Sequence, residues 1–287
     1  MKLKDVLRGA TEDLERKGVE SPRLDAELIL ADTLGLTRLE LYTQHDRPLS
    51  EAERAAARTL VERRGRREPL AYVLGSWGFR RLTLKTDARA LVPRPETEVV
   101  VEVALDLLRG TDRPAVLDVG TGSGAIALAI ADEHPGAHVT AVDRSPDALA
   151  LARENAERLG LVLDLREADL THGLPPGPFE LVVSNPPYVD PAELDALDPE
   201  VRDWEPREAL LDDGQTTTLA ARARDVLGPG GWLVLETHGE RAQEVADACA
   251  GLGYEPITIR LDLAGRGRVV EARWPMSGTQ SRTQSQH

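Results

Sequence analysis

The spacing of apolar positions along the chain changes character twice. Over the first 75 residues it is helical: Leu3, Val6, Leu7 and Leu14 share one face, and Leu24, Leu28, Ala31 and Leu34 repeat the period. Ser21-Pro22 reads as an N-cap followed by proline at the first helical position, and Gly35 closes that segment. Thr37 caps a short segment through Leu41, Ser50 with Glu53 forms a capping box for a helix reaching Arg64, and Pro69 starts a short helix from Leu70 to Leu74. A small all-α bundle is predicted. Residues 77–86 then alternate, with Phe79, Leu82 and Leu84 on one side, as a connecting β-hairpin would. Next, Leu91-Val92-Pro93-Arg94-Pro95-Glu96-Thr97-Glu98 opens a helix whose apolar face is Val99, Val100, Val103 and Leu107.

From Ala115 onwards strand and helix patterns alternate. Buried strands are predicted over residues 115–119, 138–142, 161–166, 179–184 and 231–237, with a closing pair over 254–261 and 268–272. Helical patterns separate them, one beginning at Ala125 and one capped by Ser145-Pro146. Strands alternating with helices at this spacing predict an α/β fold, a doubly wound, mostly parallel seven-stranded sheet with right-handed crossovers. The domains expected are residues 1–75 (helical), 76–92 (hairpin linker) and 93–275 (the sheet domain). Residues 276–287 lack periodicity and are expected to be a disordered tail.

In such sheets ligands bind beyond the carboxyl ends of strands. Those ends carry the residues that suggest chemistry: Gly120, Thr121, Gly122, Ser123 and Gly124 after the first strand, Asp143 after the second, Asp169 and Leu170 after the third, and Asn185, Pro186, Pro187 and Tyr188 after the fourth. The last group is the most informative. Its two prolines fix their own φ and carry no N–H, and Pro186 pushes Asn185 into an extended conformation, so the loop leaves the sheet in one predetermined shape. It presents the Asn185 amide, backbone carbonyls without a ladder to absorb them and an aromatic wall at Tyr188. Hydrogen-bond acceptors beside a flat surface suit transfer to an exocyclic –NH₂. An amide nitrogen is a poor nucleophile because its lone pair is delocalised into the C–N bond. If Asn185 Oδ1 and the Pro186 carbonyl accept its two protons, the nitrogen can pyramidalise, and the positive charge that develops is stabilised by fixed dipoles.

The glycine turn fits the loose dinucleotide pattern through Gly120, Gly122 and Ala125, and Asp143 lies where a ribose-binding acid would be. That pattern alone leaves a nicotinamide or flavin dinucleotide open. Asp118 tips the reading, since a carboxylate there welcomes the cationic part of S-adenosylmethionine and not a pyrophosphate. Asn-Pro-Pro-Tyr has no role in hydride transfer.

Composition narrows the partners. Residues 1–92 carry 18 Lys and Arg against 15 Asp and Glu, and the remainder carries 17 against 34. So acidic a half is a poor match for DNA, whose recognition rests on Lys and Arg at phosphates. The arginine run Arg63-Arg64-Gly65-Arg66-Arg67 reads as a solvated helix end, with a docking patch as the alternative. With Cys249 as the single cysteine, neither a disulfide framework nor a thiolate metal site is possible, and no metal is expected. No stretch has the apolar length of a membrane span or a signal peptide, so a cytoplasmic, monomeric protein without membrane partners is expected.

Several segments, in order, resemble the bacterial peptide chain release factor glutamine methyltransferases. They are Ser21-Pro22-Arg23-Leu24-Asp25-Ala26-Glu27, Glu68-Pro69-Leu70-Ala71-Tyr72, the LVPRPETE stretch from Leu91 to Glu98, the turn from Asp118 to Gly124, Asn185 to Tyr188, Glu205-Pro206-Arg207, and Asp262-Leu263-Ala264-Gly265-Arg266-Gly267-Arg268. The resemblance implies a class I S-adenosylmethionine-dependent fold over 93–275 and N5-methylation of the glutamine in the Gly-Gly-Gln motif of class 1 release factors. It implies that Gly120 to Gly124 and Asp143 bind S-adenosyl-L-methionine together with Asp169, Leu170 and Asn185, that Leu170 packs near the adenine, and that Asn185 to Tyr188 hold the glutamine amide. The helical domain would grip the release factor. One departure stands out: Asp212-Asp213-Gly214-Gln215-Thr216-Thr217-Thr218 replaces the family's usual glycine-rich turn. The rival readings are a glutamine methyltransferase acting on a ribosomal protein, an adenine-N6 or guanine-N2 nucleic-acid methyltransferase, and a non-catalytic binding protein.

Overall fold

The computed structural model describes residues 1–239, 241–261 and 265–276. Residues 277–287 of the expected tail and Asp262, Leu263 and Ala264 of the last family segment lie outside the described residues. The chain forms two compact units, one of Met1–Trp77, Thr86–Ala88 and Asp195–Glu205, the other of Gly78–Lys85, Arg89–Leu194 and the remainder.

The first unit is helical, with α1 (Leu3–Arg16), α2 (Pro22–Leu34), α3 (Arg38–Thr43), α4 (Glu51–Gly65) and α5 (Leu70–Leu74). Of the caps read from sequence, Thr37 with Glu40 and Ser50 with Glu53 close capping boxes and Gly35 ends α2 in the left-handed conformation, whereas Ser21 stands at the N-cap of α2 without a side-chain capping hydrogen bond among the described residues; Gly75 ends α5 as Gly35 ends α2. Leu3, Leu14, Ile29, Leu30 and Leu41 are among its fully buried side chains. Removing each from water contributes about 1.5–3 kcal/mol. The arginine run is not the solvated helix end that the sequence suggested. Arg64 is 6% exposed, and its Nε donates to Asp25 Oδ2 at 2.6 Å. Its Nη2 donates to Glu200 Oε1 at 2.8 Å, and Arg67 Nε donates to the same oxygen at 2.7 Å. Arg63 donates to Glu68 and to the carbonyls of Tyr72 and Val73. Similarly, buried Glu27 accepts from Arg38 and Tyr42. A buried charge is tolerated when it is paired and hydrogen-bonded, as Arg64, Asp25 and Glu27 are here.

The second unit is built on a sheet. A hairpin, β1 (Ser76–Phe79) and β2 (Leu82–Lys85), precedes α6 (Thr97–Leu107). Then follow β3 (Ala115–Val119), α7 (Ala125–Glu133), β4 (His138–Asp143), α8 (Pro146–Leu159), β5 (Asp164–Glu167) and β6 (Phe179–Ser184). After β6 the chain makes a 3₁₀ turn (Pro191–Ala196), contributes α9 (Pro199–Arg202) to the first unit, and continues in the second with α10 (Arg207–Leu210) and α11 (Gln215–Ala223). The chain closes with β7 (Leu227–Glu236), α12 (Arg241–Gly251), β8 (Ile257–Leu261) and β9 (Gly267–Arg273). The seven strands run in the order β5-β4-β3-β6-β7-β9-β8, parallel from β5 to β7, with β9 antiparallel to both of its neighbours.

Three strands differ in extent from the sequence reading by three residues or more, one of them β8, which begins at Ile257 rather than residue 254. The third sheet strand begins at Asp164 rather than residue 161, and Val162 is 88% exposed. This strand is at the sheet's edge and pairs on one side only, so the apolar run before it has no ladder to join. β7 starts at Leu227, ahead of the Gly-Pro-Gly-Gly stretch, because Leu227 already pairs with Phe179 before the register shifts.

Side-chain alternation on β6 shows how both faces are covered. Leu181 and Val183 point into a core with α6, α7 and the hairpin's Phe79, Leu82 and Leu84, whereas Val182 points into one with α11 and α12. A strand buried on both faces reads as a continuous apolar run, which is why β3, β4 and β6 were plain in the sequence. Among the described residues no helix is long and apolar enough to cross a membrane.

Candidate active site

β3 and β6 are neighbours and end together. Val119 pairs with Ser184, so Gly120 and Asn185 are the next residues on two adjacent parallel strands. Both face one cavity of ≈ 300 Å³. Ser184 Oγ donates to the Val119 carbonyl at 2.6 Å, which fastens the two strand ends to each other.

On the β3 side the chain turns sharply. Gly120 and Gly122 take φ of +71° and +56°, which L side chains rarely adopt, and a Cβ at Gly120 would meet nothing within 4 Å. The backbone can therefore form a wall without side chains in front of it. Gly124, at φ +84°, does not line the cavity; a Cβ there would meet Leu128 at 3.0 Å and Ala152 at 3.3 Å, so its role is close packing at the start of α7. The turn is held by β4. The Gly120 and Thr121 amides both donate to the Val142 carbonyl, at 2.9 and 3.0 Å, and Asp143 Oδ2 accepts from the Gly122 amide at 2.9 Å. Asp143 Oδ1 accepts from the Ser145 amide at 2.9 Å.

This geometry separates the cofactors that the sequence left open. A pyrophosphate needs the backbone N–H groups of such a turn, and here those of Gly120, Thr121 and Gly122 are already committed. An adenosyl group needs an acceptor for ribose hydroxyls, an apolar slot and close backbone approach. Asp143 retains acceptor capacity on both oxygens, since an ionised carboxylate offers about four lone-pair sites. Asp143 lines the cavity together with the apolar Ile126, Ala148 and Leu170. Burial raises its pKa, against the backbone N–H groups that lower it. Thr121, Ser123 and Asp169 are on the same wall. Asp169 accepts from the Thr171 amide and hydroxyl at 2.7 and 2.8 Å, which lowers its pKa. The residues present thus fit S-adenosylmethionine.

Asp118 lies beneath the turn and not on the cavity wall. It is fully buried, Oδ2 accepts from Thr121 Oγ1 at 2.6 Å, and Oδ1 has no partner among the described residues. Burial pushes its carboxyl up to about 7.

The loop after β6 is built differently. Asn185, Pro186 and Pro187 line the cavity, and Asn185 Nδ2 donates to Thr97 Oγ1 at 3.2 Å. Tyr188 does not line it. Its ring stacks on His238 at 5.8 Å with an interplanar angle of 10°, and its carbonyl accepts from Arg241 at 2.7 Å. Arg241 also donates to Asp212 Oδ2 at 3.2 Å, while Asp212 Oδ1 accepts from the Gly214 and Gln215 amides. The segment that departs from the family pattern is therefore a closed, capped start to α11, and its Gly214, Gln215 and Thr218 reach the cavity. Sequence reasoning missed Ala90 and Thr97, both on the wall, and Glu236 behind it. Thr97 sat in view within LVPRPETE, but only as a helix start.

Known families and relatives cover most of the chain. The family described as PrmC N-terminal domain matches residues 5–75, and that described as Methyltransferase small domain matches residues 101–226. A release factor glutamine methyltransferase of Deinococcus radiodurans is 46% identical over 279 residues, 95% of this chain and 99% of its own length. That of Geobacter sulfurreducens is 44% identical over 266 residues, 91% of this chain and 92% of its own. The crystal structure of a protein-(glutamine-N5) methyltransferase (release factor-specific) from Alicyclobacillus acidocaldarius is 32% identical, covers 64% of this chain and 94% of its own, and superposes with a TM-score of 0.40.

Proposed function

The chain belongs to the release factor glutamine methyltransferases, and from that premise we propose that it methylates N5 of the glutamine side chain in the Gly-Gly-Gln motif of class 1 peptide chain release factors. The observation that carries this reading is the shared cavity in which Asn185 and the glycine turn stand one residue beyond a paired strand position. S-adenosylmethionine, when bound, supplies an electrophilic methyl group.

The residues divide the remaining work. Gly120 to Ser123 shape the cofactor wall, with Gly124 packing behind it, Asp143 takes the ribose hydroxyls, and Asp169 and Leu170 flank the adenine. Asn185 Oδ1 and the Pro186 carbonyl accept the two N–H groups of the substrate amide. That holds the nitrogen lone pair out of conjugation and stabilises the charge that forms on nitrogen. Pro187 fixes the loop, and Tyr188 braces it through its stack on His238. No base acts before transfer, because the proton leaves only after nitrogen becomes cationic. The helical unit grips the release factor; its Leu24, Leu39 and Tyr42 are large side chains left exposed.

The test is methyl transfer from labelled S-adenosylmethionine to a purified class 1 release factor. Beside it run the factor's Gln→Ala variant in Gly-Gly-Gln, a ribosomal protein mixture and duplex DNA. Label on the wild-type factor alone is expected. Label on ribosomal protein or DNA instead would overturn the substrate assignment and leave the cofactor assignment standing.

A further inference from the structure

Glu236 is the last residue of β7, 1% exposed, and lies behind the cavity wall rather than on it. Its carboxyl accepts a hydrogen bond from the side chain of Thr97, the first residue of α6 and itself 4% exposed. Glu236 Oε2 has no hydrogen-bond partner among the described residues. The same Thr97 hydroxyl accepts from Asn185 Nδ2 at 3.2 Å. The ends of β6, β7 and α6 therefore meet through one hydroxyl group.

A hydroxyl has one proton, and an ionised carboxylate can only accept. Thr97 must give its proton to Glu236, which leaves only lone pairs to face Asn185. The Asn185 amide then has one satisfactory orientation, with N–H toward Thr97 and Oδ1 turned away from it. Rotating the amide by half a turn would set oxygen against oxygen. From this chain we infer that Glu236 is a positioning residue for methyl transfer, fixing through Thr97 which end of the Asn185 amide is offered to the substrate nitrogen. The inference rests on the function proposed above. It also gives a reason for a carboxylate buried with one oxygen unpartnered, which otherwise costs stability.

The charged and titratable groups that act on Glu236 are Arg94 and Glu96, which precede α6, Arg268 on β9, and Tyr188 on the loop after β6; Arg268 in turn contacts His238 at 3.3 Å. Burial outweighs the Thr97 hydrogen bond and the attraction of Arg268 and Arg94 and pushes the Glu236 carboxyl up to about 7. Once protonated, Glu236 can donate to Thr97, and the Thr97 hydroxyl is free to donate in turn to Asn185 and invert its amide. The competent form is the ionised one, so turnover gains as pH rises through that value.

The experiment compares kcat and S-adenosylmethionine affinity for wild type, Thr97→Val, Thr97→Ser and Glu236→Gln on a release factor substrate, from about pH 6 to about pH 9. Thr97→Val keeps shape and loses the hydroxyl; it should lower kcat by about tenfold or more while cofactor affinity stays within about threefold. Thr97→Ser restores the hydroxyl and should return kcat to within about threefold of wild type. Glu236→Gln still accepts from Thr97 but cannot titrate, so it should flatten the acid limb that wild type shows. Equal kcat for Thr97→Val and Thr97→Ser, or an acid limb unchanged in Glu236→Gln, would overturn the inference. If Thr97→Val fails to fold, the Glu236→Gln profile decides alone. A wild-type enzyme inactive on every release factor would instead count against the proposed function, not against this chain of hydrogen bonds.

Discussion

The turn after β3 and the loop after β6 leave neighbouring parallel strands at the same level, one residue past the pair Val119 and Ser184. They reach the same cavity by opposite means. The first depends on what is missing: Gly120 and Gly122 adopt positive φ, and the wall they form is backbone. The second depends on what is fixed: prolines set the path, and a single amide side chain, Asn185, is tied to Thr97. Under the proposed function, a cofactor with a large surface is recognised by shape and approach, whereas a small amide substrate is recognised by the direction of a few hydrogen bonds. Disturbing the first region should therefore change affinity, and disturbing the second should change rate.

Asn185→Ala tests that division most severely. It removes the acceptor proposed to act as charge forms on nitrogen, and turnover should fall by about 10²-fold or more in a saturating assay. Gly120→Ala strikes the other region. The added Cβ has room, but the residue must keep a φ of +71°. The strain of about 1–2 kcal/mol predicts S-adenosylmethionine binding weaker by about tenfold in calorimetry, with saturated turnover changed far less. If Gly120→Ala lowered saturated turnover as much as Asn185→Ala, the division would fail.

Asp118→Asn sharpens the comparison through stability. Burial raises the folded-state carboxyl to about 7, above its unfolded value. The folded state then holds the proton more tightly, so this group's contribution is fully present below the unfolded pKa and is lost as pH rises through about 7. Relative to wild type, Asp118→Asn should gain a few °C of Tm, of order ~2–4 °C, on going from acid to alkaline buffer in a thermal melt. An identical difference at both pH values would contradict burial as the cause. The smallest effect belongs to Tyr188→Phe. The ring stacks on His238 and does not line the cavity, so losing the hydroxyl should change turnover by no more than about threefold.

How much of this was readable in the sequence follows from the same contrast. The glycine turn and the proline loop depend on residue types that constrain backbone locally, so Gly120, Gly122, Asn185 and Pro186 could be picked out one by one. The buried strands β3, β4 and β6 were equally plain, because both faces of a central strand are apolar. What could not be read are partnerships set by the tertiary fold. Nothing local joins Thr97 and Glu236, which are far apart in sequence, and Arg64 gives no local sign that it will be buried against Asp25 and Glu200. Tyr188 could be placed next to the prolines but not turned toward His238, since a loop's side-chain directions depend on what the next strand brings beside it.

The most direct test of the central claim is the S-adenosylmethionine affinity of Asn185→Ala, measured by calorimetry on the protein whose turnover has been lost. A dissociation constant within a few-fold of wild type is expected, because the proposed cofactor wall stands on the other strand. Affinity lost in proportion to turnover would contradict it, and would make Asn185 part of the cofactor site rather than the group that presents the substrate amide.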